Sequence, residues 1–400
     1  MKLNDYNEFA GRHWETGSVR NYWAYRGVKA PHTGAPYSEA FLLGVSGGIV
    51  MGYFTFAYEG YDPEVRILTR NTFDPLDTML ARLGVVQHIQ QTASADKGLA
   101  NLQETLADGL PAIVWADLFS LPYNDLPRDD GMWAMFPLLV YGYDEAANTV
   151  WIADRAAVPL TITLAELAAA RAKVKKTKFR LLTLDPPRPE KLKTAVTAGL
   201  WDTVKLFTEK PPKGSKNNFG FAAYRHWANL LVKPTGRGSW AAEYPPGRNL
   251  YAVLVSAFTD IALFGKADWA DRDLYADFLA EAAALLGQPA LTAVAPHFRA
   301  SARAWADLGQ ALLPDHAPPL RETRELLLRR RELFLTQGGA ALPEIQAING
   351  RLAALKQAIS QEFPLSAAQT ADLRELLRER VLVIHDIEKE AITALQAALA

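Results

Sequence analysis

The sequence predicts an α+β protein in which a mixed N-terminal domain is followed by an all-helical C-terminal domain. Short apolar strands mix with helices up to a proline-rich linker, and beyond it apolar residues recur at spacings of three and four. A chain of 400 residues is long enough for two or three domains of about 150 residues each. We therefore predict domains over 1–186 and 192–316, followed by a helical extension over 317–400 that is either separate or part of the second domain.

The first half of the N-terminal domain is predicted to begin with helices. A helix over 14–27 ends at Gly27, and Ser38 can cap a second helix over 39–45. Two apolar stretches with β-branched and aromatic residues then predict strands over 51–58 and 65–70. Helices are predicted over 74–84 and 95–109, and each of them closes at a glycine.

The second half of this domain is predicted to be rich in strands. Residues 111–117 form an apolar strand, and 136–154 contain two apolar runs around a turn, as in a pair of adjacent strands. Thr163 is a favourable N-cap for a helix over 164–174, and a last strand follows over 178–185. Because strands and helices do not alternate regularly, the pattern favours an α+β fold over a βαβ fold.

Composition and charge exclude several classes of function. The chain is 49% hydrophobic and 22% charged with a formal net charge of −1, which is typical of a globular protein and gives no electrostatic basis for nucleic-acid binding. It contains no cysteine, so disulfides, thiolate metal sites and a cysteine nucleophile are excluded. Residues 41–58 are uncharged over 18 positions, but the Gly47-Gly48 pair predicts a buried turn between a helix and a strand, not a membrane span.

The motifs indicate neither a cofactor nor a metal. The seven histidines include no HxxxH or HxH pair, and the sequence has no phosphate loop. Residues 44–48, GVSGG, have the GxSxG spacing but lie between a predicted helix and a predicted strand, not at the strand-to-helix turn that a nucleophile elbow requires. The glycine-rich stretch VSGGIVMG lacks the strand–turn–helix context of a dinucleotide site. The first residues contain no apolar signal segment, and we expect a cytoplasmic protein without cofactor, metal or membrane anchor.

Two apolar features leave a packing role and a binding role open. The leucine-rich stretch 326–328 favours core packing, and the alternative is a helical scaffold that binds a partner or forms a homo-oligomer through the helical region. Ten tryptophans favour packing, and the alternative is an aromatic-lined pocket for an apolar or planar ligand. Five of them lie in the first domain, at Trp14, Trp23, Trp115, Trp133 and Trp151.

Seven stretches, taken in order, carry a resemblance to a known family. They are GRHWETGSVRN, YSEAFLLGVSGG, IVWADLFSLPY and LLVYGYDEAANTVWIAD in the first domain, and GFAAYRHWANLL, GSWAAEYPPG and DRDLYADFLAEAAALL in the second. Over residues 1–315 the chain resembles the butirosin biosynthesis protein H family. In that family a papain-like N-terminal domain precedes a helical domain of unknown function, and the resemblance implies the same fold here.

The resemblance also implies thiol-based acyl transfer. A cysteine at a helix N-terminus attacks an acyl carbonyl, a histidine from a later strand acts as base, and an aspartate orients the histidine. Carried over residue by residue, the nucleophile falls on Trp14, the base on Phe136 and the orienting acid on Asp154. Neither aromatic ring can act as nucleophile or base near neutral pH. We therefore expect a non-catalytic homologue that keeps a cleft for a small molecule, a peptide or an acyl-carrier partner.

A relocated nucleophile is the alternative. Ser18 lies one helical turn beyond the nucleophile position and His13 is adjacent to that position, so this pair, oriented by Glu15 or Glu39, would make an active acyl or aminoacyl transferase. In the structural interpretation, His13 bonds a backbone carbonyl instead, and Glu39 accepts a first-turn amide or pairs with a neighbouring arginine.

Three further polar residues have candidate roles around the cleft. Asp154, without a histidine to orient, is expected to pair with Arg155 or with a loop amide. Asp117 ends the strand over 111–117 and Tyr123 lies in the loop after it, where they either line the rim of the cleft or order the loop.

Overall fold

The computed structural model describes residues 1–126, 132–263 and 269–400. It shows a mixed α/β protein with 59% helix, a sheet-containing N-terminal region and a helical C-terminal part. The chain divides into two compact units, each assembled from three stretches, and the domain boundaries suggested by the sequence stay predictions. Unit 1 comprises Met1–Leu42, Leu80–Leu192 and Arg330–Ala347, and unit 2 comprises Leu43–Met79, Lys193–Arg329 and Ile348–Ala400.

Within the described residues the chain forms eight strands and fourteen α-helices. The strands are β1 (Ile49–Phe56), β2 (Glu64–Arg70), β3 (Gln87–Gln90), β4 (Ala112–Asp117), β5 (Met135–Asp144), β6 (Thr149–Ala153), β7 (Leu160–Ile162) and β8 (Leu181–Leu184). The helices are α1 (Trp14–Tyr25), α2 (Glu39–Val45), α3 (Pro75–Arg82), α4 (Ala95–Ala107), α5 (Leu164–Ala172), α6 (Leu192–Thr208), α7 (Gly220–Val232), α8 (Trp240–Glu243), α9 (Arg248–Ala262), α10 (Arg272–Leu286), α11 (Ala290–Leu312), α12 (Pro318–Gln337), α13 (Leu342–Gln361) and α14 (Ala367–Leu399).

Unit 1 is built on a six-stranded antiparallel sheet in the order β3–β8–β4–β5–β6–β7. Every residue of β4 is buried, as its unbroken apolar run predicts for a central strand. Helix α1 packs against β5 and β4, and the register of these two strands pairs Phe136 with Ala116. The beginning of α1 and the beginning of β5 therefore meet on one part of the sheet.

The short strands β3 and β7 were not predicted from the sequence. They contain four and three residues and pair with β8 and β6, respectively. Runs this short carry too little alternation of apolar and polar residues to be distinguished from loops. Their extended conformation depends on the neighbouring strand, which only the folded sheet supplies.

Several predicted helix boundaries are confirmed. Thr163 caps α5 in a capping box, because its hydroxyl accepts the N–H of Glu166 and the Glu166 carboxylate accepts the N–H of Thr163. The Ser38 hydroxyl accepts the N–H of Phe41 at the start of α2, at 2.9 Å. Gly84 follows α3 with a positive φ of 65°, a backbone conformation that glycine adopts without steric cost.

Unit 2 contains the antiparallel hairpin of β1 and β2, which packs with α7 and α9. The uncharged stretch 41–58 forms the end of α2, a turn at Gly47 and Gly48 with positive φ at both, and β1, as predicted. In the part of the chain that the structure describes, none of the helices has the length and apolar character needed to span a bilayer.

Candidate functional site

A buried carboxylate holds the start of α1. Glu39 accepts the backbone N–H groups of Arg12 at 2.7 Å and His13 at 3.1 Å. It also accepts the hydroxyl of Thr16 at 3.0 Å, and only 4% of the Glu39 surface is exposed. Amides at a helix start carry partial positive charge, so a carboxylate placed there is stabilising. Glu39 therefore positions the first turn of α1, on which Trp14 is the first residue.

The two positions of the implied nucleophile and base hold rings that stack on each other. Trp14 from α1 and Phe136 from β5 have ring centroids 4.3 Å apart and planes inclined by 22°. Trp14 is 5% exposed and Phe136 is half-buried. Stacked rings in this geometry contribute about 0.5–1.5 kcal/mol beyond the area they bury. The structure thus brings both sequence-predicted positions together, and their two rings are in direct contact with each other.

Arg155 covers this pair and links it to a residue from the far end of the sequence. Its guanidinium carbon lies 4.7 Å from the Trp14 ring centroid and 4.8 Å from that of Phe334. Both distances are within the range of cation–π attraction. We call Trp14, Phe136, Arg155 and Phe334 the aromatic–arginine cluster.

The position of the implied orienting acid is bound to arginine. Asp154 is 5% exposed and follows β6, and one of its oxygens accepts an N–H of Arg155 at 3.1 Å and the hydroxyl of Tyr123 at 3.3 Å. The same Arg155 nitrogen donates to the side-chain oxygen of Asn124 at 2.7 Å. Burial, and then the negative charge of Asp154, raise the pKa of Tyr123 well above its usual value, so Tyr123 stays a neutral donor.

Asp117 orders the segment that follows β4. It is fully buried, and its two oxygens accept the N–H of Ala134 at 2.8 Å and the hydroxyl of Ser120 at 2.7 Å. The carboxylate thereby ties together the two ends of the segment between β4 and β5. The two roles that the sequence left open for Asp117, lining the cleft rim and ordering the loop, stay predictions.

The residues of the relocated-nucleophile hypothesis point to different surroundings. The Ser18 hydroxyl is 5% exposed and donates to the backbone oxygen of Pro137 in β5, at 3.4 Å. The His13 ring lies edge-on to the Trp14 ring, with centroids 5.6 Å apart. Ser18 therefore faces the sheet backbone, which is an environment for packing α1 onto β5.

Sequence reasoning did not find Phe334 as a member of this site. It lies in α12, nearly 180 residues beyond Arg155 along the chain, and the sequence predicts only a helical segment there. A contact over such a separation leaves no local pattern in the sequence, and the nearest signal is the Gly338-Gly339 pair that ends the helix. Among residues 1–126, 132–263 and 269–400, no group of three or more His, Asp or Glu side chains is arranged to hold a metal ion.

Comparison with known families supports the N-terminal half of the resemblance. Residues 13–155 match the sequence model of the family described as "Butirosin biosynthesis protein H, N-terminal". The match covers just over a third of the chain and includes Trp14, Phe136 and Asp154. The resemblance of the helical region to the same family stays a prediction. Among curated proteins, none matches this chain.

Proposed function

We propose that this protein is a non-catalytic homologue of a papain-like acyltransferase, which acts by binding and not by turnover. The observation that carries the proposal is the stack of Trp14 on Phe136 at 4.3 Å, at the two positions where the family resemblance puts the nucleophile and the base. An indole and a phenyl ring have neither a nucleophilic lone pair nor a titration near neutral pH. Chemistry of the implied kind has no attacking atom here.

The electrostatics around the stack support the same conclusion. In a thiol enzyme the amides at the helix start and a nearby imidazolium stabilise the thiolate. Here the amides before Trp14 donate to the Glu39 carboxylate, and Asp154 is paired with Arg155 instead of an imidazole. The charges that would activate a nucleophile are balanced by other groups of the protein.

The papain-like fold is part of this proposal. A helix that begins at the nucleophile position packs on an antiparallel sheet, the base position lies in β5, and the acid position directly follows the neighbouring strand β6. We expect the retained binding function to concern a small molecule, a peptide or an acyl-carrier partner, as the resemblance implies. A scaffold function of the helical region stays an alternative. Analytical ultracentrifugation tests it by measuring whether the protein forms a homo-oligomer.

Turnover assays test the proposal directly. The wild-type protein, offered an activated ester and a small acyl thioester, is expected to release no product above the rate in buffer. Ser18→Ala and His13→Ala are the matched variants, because they remove the only nucleophile–base pair that the sequence suggested. Wild-type turnover that is lost in either folded variant would show an active enzyme and end the proposal.

A restored site tests the ancestry of the two ring positions. Because the chain has no cysteine, Trp14→Cys introduces its only thiol. If the geometry descends from a thiol–imidazole pair, combining this change with Phe136→His should speed alkylation at pH 7 at least threefold over Trp14→Cys alone. Equal rates in two folded variants would speak against a papain-like arrangement.

A further inference from the structure

The end of α12 and the turn after it belong to unit 1, although they follow the rest of that unit by more than 130 residues. Arg330–Ala347 forms the third stretch of the unit, and its Phe334 completes the aromatic–arginine cluster. Besides Arg155, the Phe334 ring contacts the Tyr123 ring, with centroids 6.1 Å apart and planes inclined by 27°. One aromatic side chain is thus held between a guanidinium group and a buried phenol.

The segment is anchored at two points just beyond Phe334. The backbone N–H of Ala157, two residues beyond Arg155, donates to the backbone oxygen of Leu335 at 2.7 Å. Gly338 has a positive φ of 56°, and a Cβ at this position would lie 2.8 Å from the Leu160 side chain. The turn therefore requires a glycine, both for its backbone conformation and for its closeness to β7.

A charged group on the same segment is half-buried in unit 1. Burial lowers the pKa of Arg330, and the negative charge of Asp125 opposes that shift. Asp125 lies next to Asn124, which binds Arg155, and it also accepts the side-chain N–H of Gln346 at 3.4 Å. The contacts of the segment thus surround the cluster, so Phe334 is held in position by its neighbours along the chain as well as by its own ring.

We infer that the proposed binding site is occupied by the protein's own Phe334, and that the ligand class of the site is an aromatic group packed on the Arg155 guanidinium. The inference rests on the proposed non-catalytic function. A free aromatic ligand must displace Phe334. Its apparent affinity is therefore the intrinsic affinity multiplied by the small fraction of molecules in which Phe334 has left the site. Affinity for aromatic compounds should therefore be low in the wild-type protein and rise when the ring is removed.

Removing the ring tests the inference, with phenol and indole as the probes. Phe334→Ala leaves a gap of aromatic size beside Arg155, and a filled gap stabilises the folded state by ligand linkage. We expect millimolar probe to raise the Tm of Phe334→Ala by about 2 °C or more and to leave the wild-type Tm unchanged. The matched control is Phe73→Ala, since Phe73 is a half-buried ring that packs on Phe219.

If stabilisation by the probe requires Arg155, the probe binds this site and does not simply fill a cavity left by a deleted ring. Adding Arg155→Gln to Phe334→Ala should abolish the rise in Tm caused by the probe. The inference is overturned if the probe stabilises Phe334→Ala and Phe73→Ala equally, if the effect survives the loss of Arg155, or if the probe has no effect. Should Phe334→Ala not fold, Phe334→Leu keeps apolar volume, removes the ring and is subject to the same outcomes.

A second measurement reports access to the cluster. In the Trp14→Cys, Phe136→His background, adding Phe334→Ala should speed alkylation of the introduced thiol at least tenfold, while Thr336→Ala, an exposed position on the same helix, should not. Equal rates would show that Phe334 does not close the site. Catalysis by a Phe334→Ala protein would overturn the proposed function, whereas equal alkylation rates would overturn this inference alone, so the two failures are distinguishable.

Discussion

At the scale of single residues, the clearest feature is that one carboxylate serves three donors at the start of α1. Glu39 binds two backbone amides and one hydroxyl while almost fully buried. We predict that Glu39→Ala lowers the free energy of unfolding by about 1–3 kcal/mol, because it leaves those donors without an acceptor. Urea unfolding measures the loss. Glu104→Ala, on an exposed face of α4, should cost less than about 0.5 kcal/mol, and a similar cost for both would contradict the positioning role.

Trp14 offers a second prediction at this scale. Its ring packs on Phe136 and under Arg155, so Trp14→Ala should destabilise the protein by about 3–5 kcal/mol, the usual range for loss of a buried large aromatic side chain. Trp133 is 57% exposed, and Trp133→Ala should cost less than about 1 kcal/mol. Thermal unfolding compares the two variants, and a small effect at both positions would mean that the cluster contributes little to stability.

At the scale of elements, the outer edge of β2 is covered by side chains of α9. The N–H groups of Val65 and Ile67 donate to the Ser256 hydroxyl at 3.0 Å and the Asp260 carboxylate at 2.8 Å. Two donors two residues apart on a strand face two acceptors one turn apart on the helix. Strand edges without a neighbour expose unpaired backbone groups, and this match satisfies them without a third strand.

Asp260 makes the stability of this contact depend on pH. Burial raises its pKa to about 7, although Arg66 at 3.2 Å opposes the shift. The folded pKa lies above the unfolded one, so the folded state binds the extra proton between about pH 4 and 7, and stability falls as the pH rises through this window. Asp260→Asn should remove a decline on the order of 2–4 kcal/mol, measured by urea unfolding at pH 5 and pH 8. An identical pH dependence in the wild type and this variant would contradict the assignment.

At the scale of the whole molecule, stability depends on a fully buried ion pair within unit 2. Arg272 and Glu388 are both unexposed, with 2.7 Å between nitrogen and oxygen. The carboxylate also accepts Tyr224, Ser301 and Trp305, and Arg272 donates to backbone oxygens in both β1 and β2. Burial opposes the charge on Glu388, yet the attraction of Arg272 and these donors holds its pKa below the usual value.

Breaking this pair on one side should have a large effect. Glu388→Gln leaves the Arg272 charge buried without its counter-ion, and we predict a loss of about 3–5 kcal/mol in urea unfolding. The double change Arg272→Met with Glu388→Leu should be less destabilising than Glu388→Gln, because an apolar pair has no charge to bury. If Glu388→Gln is as stable as the wild type, the prediction is wrong, and water must solvate the Arg272 guanidinium in the variant.

The sequence by itself determined the local features of this protein. Helix starts at Ser38 and Thr163, the glycine that ends α3, and the apolar run of β4 follow from signals that act within a few residues. The resemblance placed Trp14 and Phe136 at one site, and the fold brings their rings into contact.

Only the tertiary structure decided the features that depend on distant partners. The strands β3 and β7 exist because β8 and β6 lie beside them, and residues 330–347 join unit 1 despite their late place in the sequence. Phe334 meets Arg155 because two surfaces, each shaped by many other residues, pack together. Capping and periodicity are encoded within one or two turns of chain, whereas such packing is settled by the burial of the whole unit, which no short stretch of sequence contains.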